Sequence, residues 1–323
     1  MILVTGGAGF IGANFVIDWL AATGEPVVNL DKLTYSGNLG NLAPVRDDRR
    51  HTFVRGDIGD RAAVASLLAA HRPRAVVNFA AETHVDRSIH GPQDFVVTNV
   101  VGTQTLLDAC LRHGIARTVH IGTDEVYGSI ETGSWTESEP LLPNSPYSAA
   151  KAAAELLVRA YFVTYGLNVS STRCSNNYGP FQFPEKVIPL FVTNLIDGQQ
   201  VPLYGDGLNV RDWLHVDDHC RGIALVIAKG EPGQSYNIGG GLELNNRELT
   251  ERVLDAMGAD WSSVRAVEDR KGHDRRYSVD DSRLRALGYA PQHRFEDGLL
   301  ETVQWYRDNE AWWRPLKAKA AIS

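Results

Sequence analysis

Short apolar runs alternate with stretches of helical period through the first half of the chain. The runs Ile2 to Thr5, Pro26 to Leu30, His51 to Arg55, Ala75 to Phe79, Thr118 to Ile121 and Asn168 to Thr172 predict β-strands. Between them Ile11 to Leu20, Ala62 to His71, Val100 to His113 and Ser148 to Tyr165 carry apolar residues at helix spacing. The last is rich in Ala and Leu and stops at Gly166, a natural helix terminator. Such alternation argues for βαβ units and a parallel sheet covered on both faces.

After Asn177-Tyr178-Gly179-Pro180 the texture changes, and Pro180, Pro184, Pro189 and Pro202 cut the chain into short pieces. The expected division is a domain over residues 1–178 and a smaller α/β domain over 179–323, some of whose segments return to the first. No internal repeat or low-complexity linker is evident. Residues 129–143 carry no assignable chemistry, and the tail Lys317 to Ser323 is expected to fray.

A length of 323 residues, 43% hydrophobic and 22% charged, is that of an ordinary globular chain with a large core. The net charge of −7 argues against nucleic acid, whose binders carry a basic face. Met1 to Val4 lead directly into glycines, with no basic region and no apolar span, so a cytoplasmic protein without a membrane segment is expected. Cys110, Cys174 and Cys220 are odd in number and widely spaced, which predicts buried, reduced thiols.

Val4-Thr5-Gly6-Gly7-Ala8-Gly9-Phe10-Ile11-Gly12 leaves a strand and enters a helix. Glycines there let the backbone turn tightly and approach a pyrophosphate, which the helix N-terminus attracts with its N–H groups and dipole. Asp31 ends the next strand about 20 residues on, where a carboxylate accepts ribose hydroxyls and repels a 2′-phosphate. This favours NAD over NADP, although the adjacent Lys32 softens the preference. A Rossmann-type doubly wound sheet follows. Asp57 and Ile58 after the third strand, and Ala80, Ala81, Glu82 and Thr83 after the fourth, then lie where ligands collect.

Tyr147 and Lys151 stand four apart at the start of a helix and share a face. Bringing a tyrosine from a pKa of about 10 to near 7 takes roughly 4 kcal/mol, which a lysine ammonium and an oxidised nicotinamide can supply. Tyr147 is then the base of an alcohol oxidation. Asp124 and Glu125 add something richer, because two carboxyls in a closed site do not both ionise, leaving an acid beside a base. A ketone made by the first oxidation acidifies the neighbouring C–H, and the pair can remove that proton and expel a hydroxyl one carbon further on.

These residues resemble the extended short-chain dehydrogenase/reductases and, within them, the dTDP-glucose 4,6-dehydratases. The resemblance runs from Ile2 to about Trp305 in collinear order. It is carried by the glycine loop, Asp31 to Tyr35, Glu82 to Ser88, Thr123-Asp124-Glu125-Val126-Tyr127-Gly128, Ser175 to Pro180, Arg211-Asp212-Trp213 and Gly272 to Tyr277. It implies an NAD-dependent hydro-lyase that oxidises glucose at C4, eliminates water across C5 and C6, and returns the hydride to C6. Tyr147 is the implied base, with Thr123 on the same hydroxyl and Lys151 on the nicotinamide ribose; Glu125 takes the C5 proton and Asp124 protonates the leaving hydroxyl.

NAD contacts carry over to Gly6, Gly9, Phe10, Ile11, Gly12, Asp31, Lys32, Thr34, Asp57, Ile58, Ala80, Ala81, Thr98, Tyr147, Lys151 and Asn177. Substrate contacts carry over to Thr83, Thr123, Asn176, Lys186, Val187, Pro202, Tyr204, Arg211, Asn246 and His273 to Tyr277, including Arg276. Arg211 suits the diphosphate, since a guanidinium binds phosphate oxygens in bidentate fashion. The family is usually homodimeric through the helices at Val100 to His113 and Ser148 to Tyr165. His215 and His219 are spaced like a helical metal pair, but no third ligand is evident and no metal is expected. Rival readings are a UDP-glucose 4,6-dehydratase, a nucleotide-sugar 4-epimerase and a non-catalytic NAD-sensing protein.

Overall fold

In a computed structural model that describes residues 1–269 and 272–322, the apolar runs assemble into strands β1 (Ile2–Thr5), β2 (Val27–Asp31), β3 (His51–Arg55), β4 (Ala75–Asn78), β5 (Arg117–Thr123) and β6 (Val169–Cys174). The second half adds β7 (Asn176–Tyr178), β8 (Val201–Tyr204), β9 (Val210–His215), β10 (Ser235–Ile238), β11 (Glu243–Asn245) and β12 (Val264–Val267). Seven strands form one parallel sheet in the order β10-β6-β5-β4-β1-β2-β3. The order reverses between β1 and β4, the point at which such sheets open a crevice beyond the strands' carboxyl ends.

Alternation along β1 shows why the sheet is covered twice. Ile2 and Val4 pack with Phe15, Val16, Trp19 and Ile223 on one face, whereas Leu3 packs with Val64, Leu68, Leu106 and Val169 on the other. Helix Val216–Lys229 lies beside Phe10–Thr23, and β10 pairs with β6 at the edge of the large sheet. The smaller lobe has its own core around Tyr178, Phe191, Trp213, Val253, Phe295, Leu299, Tyr306 and Trp313, with a β11-β9-β7 sheet and a β12-β8 pair.

β5 and β6 each run two residues beyond the predicted ends because Thr123 pairs with Cys174, which carries both residues to the crevice. The helix expected over Val100 to His113 is two elements: a π-type turn Val96–Gly102 and an α-helix Thr103–Arg112. Its β-branched run Val96-Val97-Thr98 and Val100-Val101 crowds a regular α-helix, and the wider turn relieves that crowding. The tail does not fray as expected. A helix covers Glu310–Ile322, and Lys317 Nζ holds Asp197 at 2.7 Å; Ser323 lies outside the described residues.

Helix Pro146–Tyr165 is delimited by local chemistry. The Ser145 hydroxyl accepts the Ser148 N–H at 3.1 Å while Ser148 Oγ reaches back to the Ser145 N–H at 3.0 Å, and Pro146 occupies the first position. Gly166 ends it at a φ of 69°, in the left-handed region open to glycine. Tyr147 and Lys151 are thereby fixed on the first two turns of a rigid element.

Candidate active site

The cleft begins at the glycine loop. Gly6 turns at a φ of 71° and gives its N–H to the Leu30 carbonyl at 2.8 Å. A methyl group on Gly12 would sit 2.3 Å from the Gly6 oxygen, so the helix can start this close to the turn only without a side chain. Gly9, at the helix N-cap, offers no side-chain bond to the first N–H groups, which leaves a donor-rich cradle suited to a pyrophosphate. Asp31 Oδ2 accepts the Ala8 N–H at 2.9 Å and Oδ1 accepts that of Leu33 at 2.7 Å. Lys32 turns to Asp57 at 2.6 Å across the mouth. On the far wall Asn99 clamps the Glu82 backbone through two hydrogen bonds, at 2.8 and 2.9 Å, fixing the loop that carries Ala80, Ala81 and Thr83.

All sixteen sequence-predicted cofactor positions line this cleft, as do Thr123, Asp124, Glu125, Thr83, Asn176 and Lys186. The Tyr147, Lys151 and Cys174 side chains close its inner end. Lys151 Nζ donates to the Ile121 carbonyl at 2.6 Å, and burial lowers its pKa to about 8. The expectation of a depressed Tyr147 does not hold for the protein's own groups. Burial, then the charge of Glu125, push its phenol well above the ordinary value, with a hydrogen bond to Thr123 working the other way. Lowering must therefore come from what binds beside it.

Thr123 caps the short turn Asp124–Tyr127 and accepts the Glu125 N–H at 3.3 Å, so both carboxyls leave the strand end together. Burial raises Asp124 well above the carboxylate range, and Glu125 and Asp212 raise it further, all of which favours its protonated form. Its Oδ2 is buried with no hydrogen-bond partner among the described residues. A buried polar atom of this kind is costly unless a bound molecule completes it.

Other predicted substrate residues stand away from the cleft wall. Val187 opens helix Val187–Ile196, Pro202 and Tyr204 lie on β8 against β12, and Asn246 starts helix Asn246–Met257. Arg276 pairs with Glu243 at 2.7 Å, and His273 Nδ1 with Asp269 at 2.6 Å. Arg211, on β9, and Tyr277, in the segment after β12, are buried, with the guanidinium carbon 4.3 Å from the ring centre. Arg211 lowers the pKa of Asp124 and Glu125 raises that of Tyr277, so both lie within electrostatic reach of the acid pair.

Among the cleft residues that escaped the sequence reading, Glu185 and Cys174 stand out. Glu185 Oε1 accepts the Tyr35 hydroxyl at 2.8 Å, and Oε2 lies 3.4 Å from Arg87; the signal was a Glu-Lys pair inside an apolar, proline-bounded run. Cys174 gave no signal beyond its place at the end of β6. Residues 129–143 also gain a role: Ile130 and Trp135 donate to the Arg276 and Ser278 carbonyls at 3.0 and 2.9 Å, anchoring the late loop.

The histidine pair is misassigned by spacing. His219 Nδ1 contacts Asn177 Oδ1 at 2.9 Å, whereas His215 groups with Asp217 and His293, ligand atoms within 4.8 Å of one another. The His215 and His293 rings stack with centroids 4.0 Å apart, and His215 Nδ1 accepts the Asp217 N–H.

A family model described as GDP-mannose 4,6 dehydratase matches residues 3–302. The dTDP-glucose 4,6-dehydratase of Streptomyces antibioticus is 61% identical over 99% of this chain and 96% of that protein. The chain belongs to the dTDP-glucose 4,6-dehydratase family. A second member, from Streptomyces niveus, is 59% identical over 98% of this chain and 96% of its own length. Among solved structures, DesIV (dTDP-glucose 4,6-dehydratase) from Streptomyces venezuelae with NAD and TYD bound superposes with a TM-score of 0.95 at 61% identity, over 98% of this chain and 99% of that one. Family membership and the Asp31-bounded glycine cradle agree on the cofactor class, NAD.

Proposed function

We propose that the protein is an NAD-dependent hydro-lyase that converts dTDP-glucose to dTDP-4-keto-6-deoxyglucose. Asp124 carries the reading: a buried carboxyl whose surroundings favour its acid form, with one unsatisfied oxygen, beside Glu125 in a dinucleotide cleft. An epimerase, which eliminates nothing, has no use for that acid.

When bound, NAD supplies the oxidant for C4 and later the hydride for C6. Tyr147 takes the C4 hydroxyl proton, with Thr123 orienting the same oxygen and Lys151 the nicotinamide ribose. Glu125 removes the C5 proton, made acidic by the new ketone, and Asp124 protonates the C6 hydroxyl so that it leaves as water. Glu125 then gives its proton back to C5 as C6 is reduced, and Tyr147 releases a proton to solvent while Asp124 takes one up, so the sugar nucleotide has lost one water and the protein's acid–base groups are reset. Arg211 and Lys186 hold the diphosphate end, with Asn176, Thr83 and Tyr277 around the sugar.

The same reading makes the protein a homodimer. Val97, Val101, Leu156 and Val163, each at least half exposed, lie on the π-type turn and on helix Pro146–Tyr165. It acts in the cytoplasm; among the described residues no helix is long and apolar enough to cross a membrane.

The test is incubation of purified protein with dTDP-glucose and, separately, UDP-glucose, adding no NAD, followed by mass spectrometry. Loss of one water from the dTDP sugar alone is expected. An unchanged mass with galactose appearing would mean an epimerase, and no change at all would leave only a binding protein.

A further inference from the structure

Asp274 ties together three parts of the molecule that sequence keeps far apart. Its Oδ1 accepts Asn144 Nδ2 at 2.6 Å, three residues before Tyr147. Oδ2 accepts the Tyr277 hydroxyl at 2.6 Å. Its main-chain oxygen accepts Arg211 Nη2 at 2.9 Å and Asn209 Nδ2 at 3.2 Å. The residue is buried and does not line the cleft. Two of its four partners, Arg211 and Tyr277, are groups within electrostatic reach of the acid pair.

We propose that Asp274 is a positioning residue that latches the smaller lobe's substrate wall, Arg211 and Tyr277, to the segment that launches the Tyr147 helix. The proposal rests on the dehydratase reading and deepens it. Asp124 and Glu125 sit on the large lobe, whereas Arg211 and Tyr277 come from the small one. Elimination needs the C5 proton and C6 hydroxyl held against the acid pair to within a few tenths of an ångström. C4 oxidation asks less of this wall, because Thr123, Tyr147 and Lys151 all belong to the large lobe. A carboxylate suits the latch because Asn144 Nδ2 and the Tyr277 hydroxyl both donate to it, one to each oxygen.

Asp274→Asn isolates this function. An amide can still accept from Asn144 but presents N–H to the Tyr277 hydroxyl, which must turn round to accept it, so the charge-assisted arm of the latch is weakened and redirected with little change of shape. The variant and the wild type are given dTDP-glucose in deuterated water. Bound NADH is followed by absorbance, deuterium at C5 by mass spectrometry, and retained NAD and thermal unfolding as controls. The expected result is that bound NADH accumulates, C5 exchange and product formation fall at least tenfold, KM changes less than threefold, and retained NAD is unchanged. Asn144→Ala cuts the other arm and should show the same split between oxidation and elimination, which keeps the test open if Asp274→Asn fails to fold. Tyr277→Phe combined with Asp274→Asn should be no slower than the slower single variant. Wild-type rates in Asp274→Asn, or oxidation and elimination falling together in both single variants, overturn the positioning role while leaving the dehydratase reading intact. A wild-type protein that leaves dTDP-glucose unchanged overturns both.

Discussion

Asp31 Oδ2 accepts the Ala8 N–H at 2.9 Å, so the carboxylate at the end of the second strand holds the turn that leaves the first. One side chain thus fixes the glycine turn and lines the cleft proposed for the cofactor. Burial raises its pKa, and the Leu33 and Ala8 N–H groups work against that shift.

Asp31→Asn should therefore cost more in cofactor than in stability. The amide relieves a buried charge but turns an N–H toward one of two backbone donors, a loss of about 1–3 kcal/mol for a charged acceptor, partly offset. NAD released on denaturing the purified variant should fall to a small fraction of the wild-type amount. A full complement of NAD would remove Asp31 from the ribose.

Gly12→Ala tests the cradle by volume alone. The added methyl would lie 2.3 Å from the Gly6 oxygen and 2.8 Å from Gly7 Cα, both rigid backbone. Loop and helix must separate, and retained NAD should be lost while the large sheet still folds, as circular dichroism would report. Normal NAD content would mean that the dinucleotide does not approach this turn.

The acid pair should separate into two roles. Glu125→Gln should abolish exchange of the C5 proton with solvent deuterium while NADH still forms. Asp124→Asn leaves a neutral side chain that cannot give up a proton, so C5 exchange should persist while water loss drops on the order of 10²–10⁴-fold. Reversed behaviour in the two variants would exchange their roles, and equal behaviour would dismiss the division of labour.

The readable part of this site is the part built locally. Gly6 to Gly12 encode a turn, Tyr147 and Lys151 a helix face, and Thr123 to Glu125 a strand end, each within one element and each visible as spacing. Glu185 and Cys174 reach the cleft only because a loop and a strand end fold into it. The wall behind the acid pair is less readable still: Asn144 and Asp274 meet across 130 residues, and no period announces such a contact. The π-type turn at Val96–Gly102 had a local cause in its β-branched run, yet that composition also fits a strand or a helix, so tertiary packing decides.

Acid should expose a set of histidines kept neutral by burial. Burial lowers His219 from 6.5 to about 3 and His215 from 6.5 to about 4; for His215 the nearby His293 adds to the effect. A base whose folded pKa is depressed leaves the unfolded chain binding more protons, so stability is complete above about pH 6.5 and is lost as pH falls toward the folded values. Raised carboxyls act in the opposite sense, Asp18 at about 6 among them, so the total curve mixes both and the test is a difference between variants. His219→Asn retains a donor toward Asn177 Oδ1 but cannot titrate. Its unfolding free energy from urea titrations should fall less steeply than the wild type's between pH 6 and 4, by up to about 1.4 kcal/mol per pH unit, whatever its stability at pH 7.5. Parallel curves would mean that His219 takes up a proton in the folded protein, and its burial beside Asn177 would then fail to explain its state.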